Sequence, residues 1–319
     1  MNARTAALPE LNEPGWVEPC QTLHLWSQLL GKIRLGLEPM MNHWWQVPLY
    51  VTARGLTTSP MRSGDRFVEL HLDLLSGDLQ FLSTDGSSER LPLPRESTLA
   101  SFYAQVFERL RRFGVEVSVY PKAVEIPETI LLDRDTALRR YDPDWGRRFF
   151  TALVYADRWL KDFRARFTGK ASPVHFFWGS FDHAATRFSG RRAPLHPGGA
   201  PNCPDFVMHE AYADEVSSAG FWPGGKSSEA IFYAYAYPKP EGFERAEVLP
   251  REARWDEGLG EFVLPWREVR RAADPDRMVR DFLQSTWEAA AELGGWNRAE
   301  VERPLDRKGF LENPHELHV

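Results

Sequence analysis

Residues 68–82 carry the pattern that most restricts the fold, because apolar and polar side chains alternate there with a period of two. The apolar positions are 68, 70, 72 and 74, and the polar positions between them are Glu69, His71 and Asp73. Ser76-Gly77 then provides a turn before a second apolar run at 79–82. The segment therefore predicts a half-exposed β-hairpin, and with it an antiparallel sheet.

Four longer segments have the apolar spacing of amphipathic helices, at 22–37, 97–113, 143–168 and 275–293. Asp142 and Pro143 form an N-cap and a first-turn proline for the third helix, and Gly114 is placed to end the second. Together with the hairpin, these segments predict an α+β fold with largely antiparallel sheets and three or four long amphipathic helices.

Further strands are predicted at 47–54, 91–93, 115–119, 174–187, 206–212, 230–237 and 261–264. The aperiodic stretch 121–142 separates an N-terminal half, 1–130, from a C-terminal half, 131–319, with one compact unit as the alternative. Both halves run from a helix into an aromatic strand that opens with a histidine, His43 or His175, and reaches an arginine, Arg54 or Arg187. This shared order suggests two related halves.

Composition narrows the class of protein. The formal net charge of −6 argues against a nucleic-acid partner, and the N-terminal residues lack the apolar run of a signal peptide. No stretch approaches the length of a membrane span. Cys20 and Cys203 lie far apart, which argues against a disulfide framework. We therefore expect a cytoplasmic protein that binds neither nucleic acid nor membrane, whose oligomeric state the sequence leaves unknown.

The densest group of chemically active residues lies between residues 170 and 225. His175, Asp182 and His183 are the candidate catalytic residues, because a carboxylate beside an imidazole tunes proton transfer near neutral pH. In a regular strand the adjacent Asp182 and His183 would point to opposite faces. Only a bulge, which Gly179 permits, or the end of the strand would bring them together.

Cations and indoles complete the predicted pocket, provided that both halves meet at one cleft. Guanidinium and ammonium groups would hold an anion, and tryptophans would stack on an aromatic body. The alternatives are a solvated basic turn and tryptophans that serve as core or interface anchors. The candidate ligand-binding residues are His24, Lys32, His43, Trp44, Arg54, Lys170, Trp178, Arg187, Arg191, Arg192, His196 and Trp222.

Motifs for other chemistries are weak or missing. His209-Glu210 is not followed by the second histidine of a zinc protease, so a metal is not assigned, although histidines and carboxylates in 175–210 form a pool of possible ligands. Neither a serine nucleophile elbow nor a phosphate-binding glycine loop is present. Any cofactor therefore stays unknown.

Long motifs nevertheless resemble an uncharacterised bacterial family, a domain of unknown function. They are TLHLWSQ (22–28), NHWWQVPLYVTARGL (42–56), SPVHFFWGSFDHAATRFSGRRAPLHPGG (172–199) and EVSSAGFWPGG (215–225). The likeness continues through YAYPKPEGF (235–243) and the LQSTWEAAAELGGW helix (283–296). The resemblance implies a bacterial, cytosolic, single-family chain and brings no established activity.

Three hypotheses follow. The favoured one is a protein that binds or converts an anionic or aromatic small molecule in a pocket lined by His, Trp, Arg and Asp. The second is a protein-interaction module with an exposed aromatic surface, and the third is a metal-dependent hydrolase. Convergence of the named residues in one concave pocket would favour the first, and tryptophans on a flat patch the second.

Overall fold

Two six-stranded antiparallel sheets and four long helices dominate the computed structural model, which describes residues 7–11, 14–226 and 228–303. The helices in these ranges are α1 (Pro14–Leu37), α2 (Leu99–Arg112), α3 (Pro143–Ala165), α4 (Asp205–Ala211), α5 (Trp266–Arg271), α6 (Pro275–Leu293) and α7 (Arg298–Val301). The strands are β1 (Tyr50–Val51), β2 (Gly55–Thr57), β3 (Met61–Ser63), β4 (Arg66–Asp73), β5 (Asp78–Ser83), β6 (Ser88–Pro92), β7 (Glu96–Thr98), β8 (Leu138–Arg140), β9 (His175–Phe177), β10 (Asp182–Arg192), β11 (Asp214–Trp222), β12 (Ile231–Tyr237), β13 (Arg254–Asp256) and β14 (Glu261–Pro265). The predicted α+β class is confirmed.

The first sheet contains the predicted hairpin. Its order is β1-β2-β4-β5-β6, with β3 also paired to β4. In the hairpin Leu70 pairs with Phe81 and Leu72 with Leu79, all four side chains being buried. The turn closes as predicted, because the Asp73 carboxylate accepts two backbone N–H bonds and Gly77 takes a φ of 76°.

The second sheet has two different faces. Its order is β13-β14-β12-β11-β10-β9. On β10, His183 and Arg187 point toward α3, where they contact Asp157 and the Phe163 carbonyl oxygen respectively. Because side chains alternate along a strand, Asp182, Ala184 and Thr186 point to the opposite face. That opposite face forms the floor of the cavity described below.

Helix α1 lies in the centre of the protein, with Leu29, Leu30 and Ile33 fully buried. One cluster of buried apolar side chains extends from Leu8 to Ala291. A backbone bridge between Leu49 and Phe176 joins the segment before β1 to β9, with both hydrogen bonds 2.9 Å long. The division into two related halves near residue 130 stays a prediction.

All four predicted long helices are present. Asp142 caps α3 through the Asp144 N–H, Pro143 occupies its first turn, and Gly114 follows α2 with a φ of 67°. Helix α1 begins at Pro14, earlier than the predicted residue 22, and runs through Pro19. The strands at 230–237 and 261–264 are confirmed as β12 and β14, and the strand at 91–93 overlaps β6.

The predicted strand at 206–212 is wrong, since this segment is helix α4. Pro204 stands before the helix and accepts the Val207 N–H bond of its first turn. Val207, Met208 and Ala211 then fall on one helical face and line the cavity. In so short a segment, an apolar pattern does not distinguish a strand from a helix.

Three other strand predictions are corrected. The segment 174–187 is a hairpin, β9 and β10, whose turn includes Phe181 at a φ of 64°. No strand forms in the described stretch 115–119, and 47–54 contains only the two-residue β1. Strand β11 was missed, because its Ser-Ser-Ala-Gly centre has low β-propensity and is held by pairing on both sides.

A search of the described helices found none with the length and apolar character needed to cross a bilayer.

The approach of α1 to the β9–β10 turn yields a first prediction. A methyl group added at Gly31 would overlap the Trp178 indole ring. We expect Gly31→Ala to lower the free energy of unfolding in urea by about 1–3 kcal/mol, although the same change in an open helix stabilises by about 1 kcal/mol.

The double variant Gly31→Ala with Trp178→Leu provides the control, because loss of the indole removes the overlap. The two effects should then be non-additive in a double-mutant cycle. A gain in stability from Gly31→Ala alone would contradict the close packing.

Candidate functional site

A cavity of about 540 Å³ lies against the free face of the second sheet. Its volume falls within the range of about 300–1,000 Å³ that small-molecule sites occupy. The cavity is covered by the segment 42–47, the connection 120–125 and helix α4. Its lining residues are Lys32, Leu35, His43, Trp44, Trp45, Val47, Tyr120, Lys122, Val124, Glu125, Phe177, Trp178, Gly179, Ser180, Asp182, Ala184, Thr186, Phe188, Asn202, Cys203, Pro204, Phe206, Val207, Met208, Ala211, Tyr212, Val216, Ser218, Tyr233 and Tyr235.

The floor of the cavity is lined with hydroxyl groups. The Thr186 and Ser218 hydroxyls, from paired positions on β10 and β11, lie 2.9 Å apart. The Tyr212 and Tyr235 hydroxyls lie 2.8 Å apart, and Tyr235 stacks on Tyr233. Small residues at alternate positions of β10 and β11 leave space above this row, so that a ligand can reach it.

Aromatic rings form the walls. His43 and Trp44 adopt φ values of 56° and 60°, a left-handed turn that non-glycine residues rarely take. The turn is held by the His43 N–H, which donates to Glu210 Oε1 at 3.2 Å. It places Trp44 against Phe206 of α4, with ring centroids 5.9 Å apart. Such strain at a cavity wall is typical of a functional site.

Four polar side chains meet at one end of the cavity. Tyr233 donates a hydrogen bond to Asp182, and Ser180 contacts the other carboxylate oxygen of Asp182. Ser180 also hydrogen-bonds Glu125, whose carboxylate lies where a side chain at position 179 would stand. Gly179 therefore permits the approach of Glu125 to the Ser180–Asp182 pair. These residues form the carboxyl cluster: Glu125, Ser180, Asp182 and Tyr233.

Both carboxyl groups of this cluster are shifted toward their protonated forms. Burial raises the pKa of Asp182 despite its hydrogen bonds. Glu125 is exposed, yet desolvation by the atoms packed around its carboxylate and the charge of Asp182 raise its pKa to about 7. A carboxyl group with such a pKa exchanges protons readily at neutral pH.

Lys32 supplies a cation to the same cavity. Its side chain belongs to α1, is 6% exposed, and places Nζ 5.7 Å from the centre of the Trp178 ring. Within the described part of the chain, Nζ forms neither a hydrogen bond nor an ion pair. Burial lowers the pKa of Lys32 to about 8, so the ammonium form still predominates at pH 7.

Polar side chains of α1 at i, i+4 spacing, His24 and Gln28, support this site from the side of the helix. Gln28 donates from Nε2 to the carbonyl oxygens of Val124, Trp178 and Gly179, at 2.9, 3.1 and 3.1 Å, and its Oε1 accepts the Val124 N–H at 3.0 Å. His24 Nε2 lies 2.8 Å from the Gly179 oxygen. Burial lowers the pKa of His24 to about 4, so this imidazole stays neutral.

A family model described as a family of unknown function, DUF5996, matches residues 8–303. The chain belongs to this family. No curated protein and no solved structure matches it. The match to DUF5996 confirms the predicted membership in an uncharacterised family and assigns no role to any residue.

In this DUF5996 member, five of the residues predicted for the site line the cavity. They are Lys32, His43, Trp44, Trp178 and Asp182. His43 accepts a hydrogen bond from Lys170 at 2.6 Å, and Lys170 pairs with Asp214 at 2.7 Å. Lys170 thus stands behind His43 and outside the lining.

The two candidate catalytic histidines lie apart from Asp182. His183 points to the opposite face of the sheet, as regular alternation required, and contacts Asp157 at 3.1 Å. His175 is fully buried beneath Trp45 and Tyr50, with its Nε2 3.3 Å from the Tyr50 hydroxyl. Burial lowers the pKa of His175 to about 3. The catalytic roles of these histidines stay predictions, and the structure does not bring them to the cavity.

The predicted arginines also lie outside the cavity. Arg54 pairs with Asp73 beside the hairpin of the first sheet. Arg187 is buried on the helix-facing side of β10, and its guanidinium stacks on Phe163 at 3.5 Å.

The remaining predicted ligand-binding residues have structural partners. Arg191 donates to the carbonyl oxygens of residues 294 and 295 after α6, and Arg192 pairs with Asp214 at 3.0 Å. His196 stacks on Tyr212, and the Trp222 Nε1–H donates to the backbone carbonyl oxygen of Ser180 at 3.1 Å. These contacts leave their predicted ligand roles untested.

Sequence reasoning missed most of the cavity floor and Glu125. Glu125 lies in the aperiodic stretch 121–142, and Tyr233 was assigned only to a strand. One usable signal existed, since the Tyr233-x-Tyr235 spacing places two phenol groups on one strand face. Within the described ranges no three His, Cys, Asp or Glu side chains gather as metal ligands.

The contacts of Gln28 generate a second prediction. We expect Gln28→Ala to lower the free energy of unfolding by about 2–4 kcal/mol, because the N–H and carbonyl oxygen of Val124 lose their partner and the oxygens of Trp178 and Gly179 keep only His24. The matched control is Gln105→Ala in α2, whose side chain bonds only Ser101 of its own helix and should cost less than about 0.5 kcal/mol. Equal effects in urea unfolding would show that Gln28 does not join these segments.

Proposed function

We propose that the protein binds, in this cavity, a small molecule with an apolar or aromatic body and one acidic group that pairs with Lys32. The observation that carries the proposal is the ammonium group of Lys32, which is carried on a buried side chain, lines the cavity and lacks an anionic partner among the described residues. Burying an unpaired charge is unfavourable. An anionic ligand would supply the missing partner and offset that cost.

The walls match the body of such a ligand. Trp45, Trp178 and Phe188 offer ring surfaces to an apolar or aromatic skeleton, and the hydroxyl row of the floor offers hydrogen bonds to a few polar substituents. The tryptophans surround a concave space, which supports ligand binding over a flat interaction surface.

A cytoplasmic location is part of the same proposal. Cys20 and Cys203 are both free thiols, which suits a reducing compartment. The metal-dependent hydrolase finds no support in the arrangement of the described side chains.

Two fluorescent probes of the same skeleton test the proposal. Anilinonaphthalene sulfonate carries an anionic group, and N-phenyl-1-naphthylamine lacks it. We expect Lys32→Met to weaken binding of the sulfonate by about tenfold or more, the value of one charge-assisted contact. Binding of the neutral probe should change by less than about threefold, since the aromatic walls remain.

Two further variants control this titration. Lys239→Met removes a surface lysine that pairs with Glu244 and should leave both affinities unchanged. Ala184→Phe places a ring on the cavity floor and should weaken both probes. Equal loss of the two probes in Lys32→Met, or no loss of either, would contradict the proposed pairing.

The charge of Lys32 should also lower the free energy of unfolding of the protein, as residues retained for binding often do. Because folding lowers its pKa from 10.5 to about 8, the charged form is disfavoured in the folded state. The cost is full below pH 8 and disappears as pH rises through 10.5.

Lys32→Met should therefore increase the free energy of unfolding at pH 7 by on the order of 2–3 kcal/mol. Unfolding in urea at pH 7 and at pH 10.5 measures the difference, which should shrink at the higher pH. A variant less stable than the wild type at pH 7 would mean that Lys32 stabilises the fold.

A further inference from the structure

We propose that Glu125 is a general base that removes a proton from a carbon atom of the bound molecule, with Lys32 stabilising the negative charge that develops. The substrate class is a carbon acid, an apolar or aromatic molecule whose C–H bond is activated by an adjacent carbonyl or C=N group. This inference rests on the proposed function, because the same cavity must first bind the molecule.

The position of Glu125 supports this role. Its carboxylate reaches the cavity from a backbone φ of 61°, and the Glu125 N–H donates to the Pro201 oxygen at 2.7 Å, which fixes the turn. Gly179 leaves the space that this carboxylate occupies. Lys32, more than nine-tenths buried and unpaired among the described residues, lines the same cavity and is the independent sign of a ligand.

A chain of hydrogen bonds orients the base. Tyr233 donates to Asp182. Ser180 donates to the other carboxylate oxygen of Asp182 and is also the hydrogen-bond partner of Glu125, so that Ser180 links the two carboxyl groups. Ser180 and Asp182 are thus positioning residues. The unbonded oxygen of Glu125 is then available to accept a proton from the substrate.

The step balances without another reagent. The proton passes from the substrate carbon to the Glu125 carboxylate, and the C–H electron pair moves through the substrate onto its electronegative atom. Return of that proton to a different carbon completes an isomerisation, with no oxidation or reduction.

The probe reaction is elimination of 5-nitrobenzisoxazole. The base takes the proton at C3, the C–H electron pair forms the nitrile, and the N–O bond breaks to leave a coloured phenolate. General bases contribute about 100-fold or more. We therefore expect turnover by the wild type and, in Glu125→Gln, a fall of about 100-fold or to the rate of buffer alone.

Variants of neighbouring groups separate the base from its surroundings. The polar and titratable groups that interact with Glu125 are Asp182 and Ser180 at the β9–β10 turn, Tyr212 directly after α4, and Cys203 from the loop before α4. The exposed Glu128→Gln should keep wild-type turnover, whereas Glu125→Asp should keep part of it. Turnover in Glu125→Gln equal to that of the wild type and of Glu128→Gln would overturn the assignment.

The pH dependence of the turnover rate distinguishes a catalytic role of Glu125 from a purely structural one. The rate should rise as Glu125 ionises near pH 7 and fall as Lys32 loses its proton near pH 8. In Lys32→Met the alkaline fall should disappear and the maximum rate should drop.

Binding distinguishes failure of this inference from failure of the proposed function. Displacement of N-phenyl-1-naphthylamine by 5-nitrobenzisoxazole reports occupancy, which Glu125→Gln should change by less than about threefold. Binding without turnover in the wild type overturns the inference alone. Absence of binding in the wild type overturns both.

Discussion

The side-chain amide of Gln28 joins the parts of this protein on which the candidate site depends. From the central helix α1 it bonds three carbonyl oxygens and one N–H, on two segments separated by more than fifty residues. These segments carry Glu125 on one side and Trp178, Ser180 and Asp182 on the other. Because each bonded group is buried or partly buried, the contacts are costly to break. The distance between the two carboxyl groups is therefore set by a helix that contributes neither of them.

Because side chains alternate between the two faces of the second sheet, one face packs against helices and the other faces the cavity. On one face, His183 and Arg187 reach α3, and the apolar core covers them. On the other, alternate positions carry Asp182, Thr186 and Ser218 beneath an open space. Charged groups that lose part of their hydration in such a space are disfavoured. For this reason the pKa values of Asp182 and Glu125 are raised and the pKa of Lys32 is lowered. A ligand that pairs with these groups would recover part of the cost.

Local patterns predicted the elements whose partners lie nearby in sequence. The hairpin 68–82, the caps of α3 and the amphipathic helices depend on contacts within about twenty residues, so their spacing was sufficient. The opposite directions of Asp182 and His183 followed from strand geometry and proved correct. Prediction failed where distant contacts outweighed propensity. Strand β11 is held by strands on both sides, and α4 is set by Pro204 and by the cavity that its apolar face covers.

The candidate site illustrates the same limit. Composition directed attention to 170–225, where Trp178 and Asp182 line the cavity, but it grouped them with Arg187 and His183, which point the other way. Glu125 was missed because its segment has no periodic pattern, and its importance arises only from the approach to Gly179. No local property of residues 121–142 encodes that approach.

By itself, the sequence determined the α+β class, the long helices, the first hairpin and membership in a family, because these depend on spacing and residue identity along the chain. Only the tertiary structure decided which polar groups share the cavity. That choice depends on which face of β10 the helices cover and on where α1 places Gln28 and Lys32. Both depend on contacts between residues far apart in sequence, and such contacts produce no periodic pattern in the amino-acid sequence.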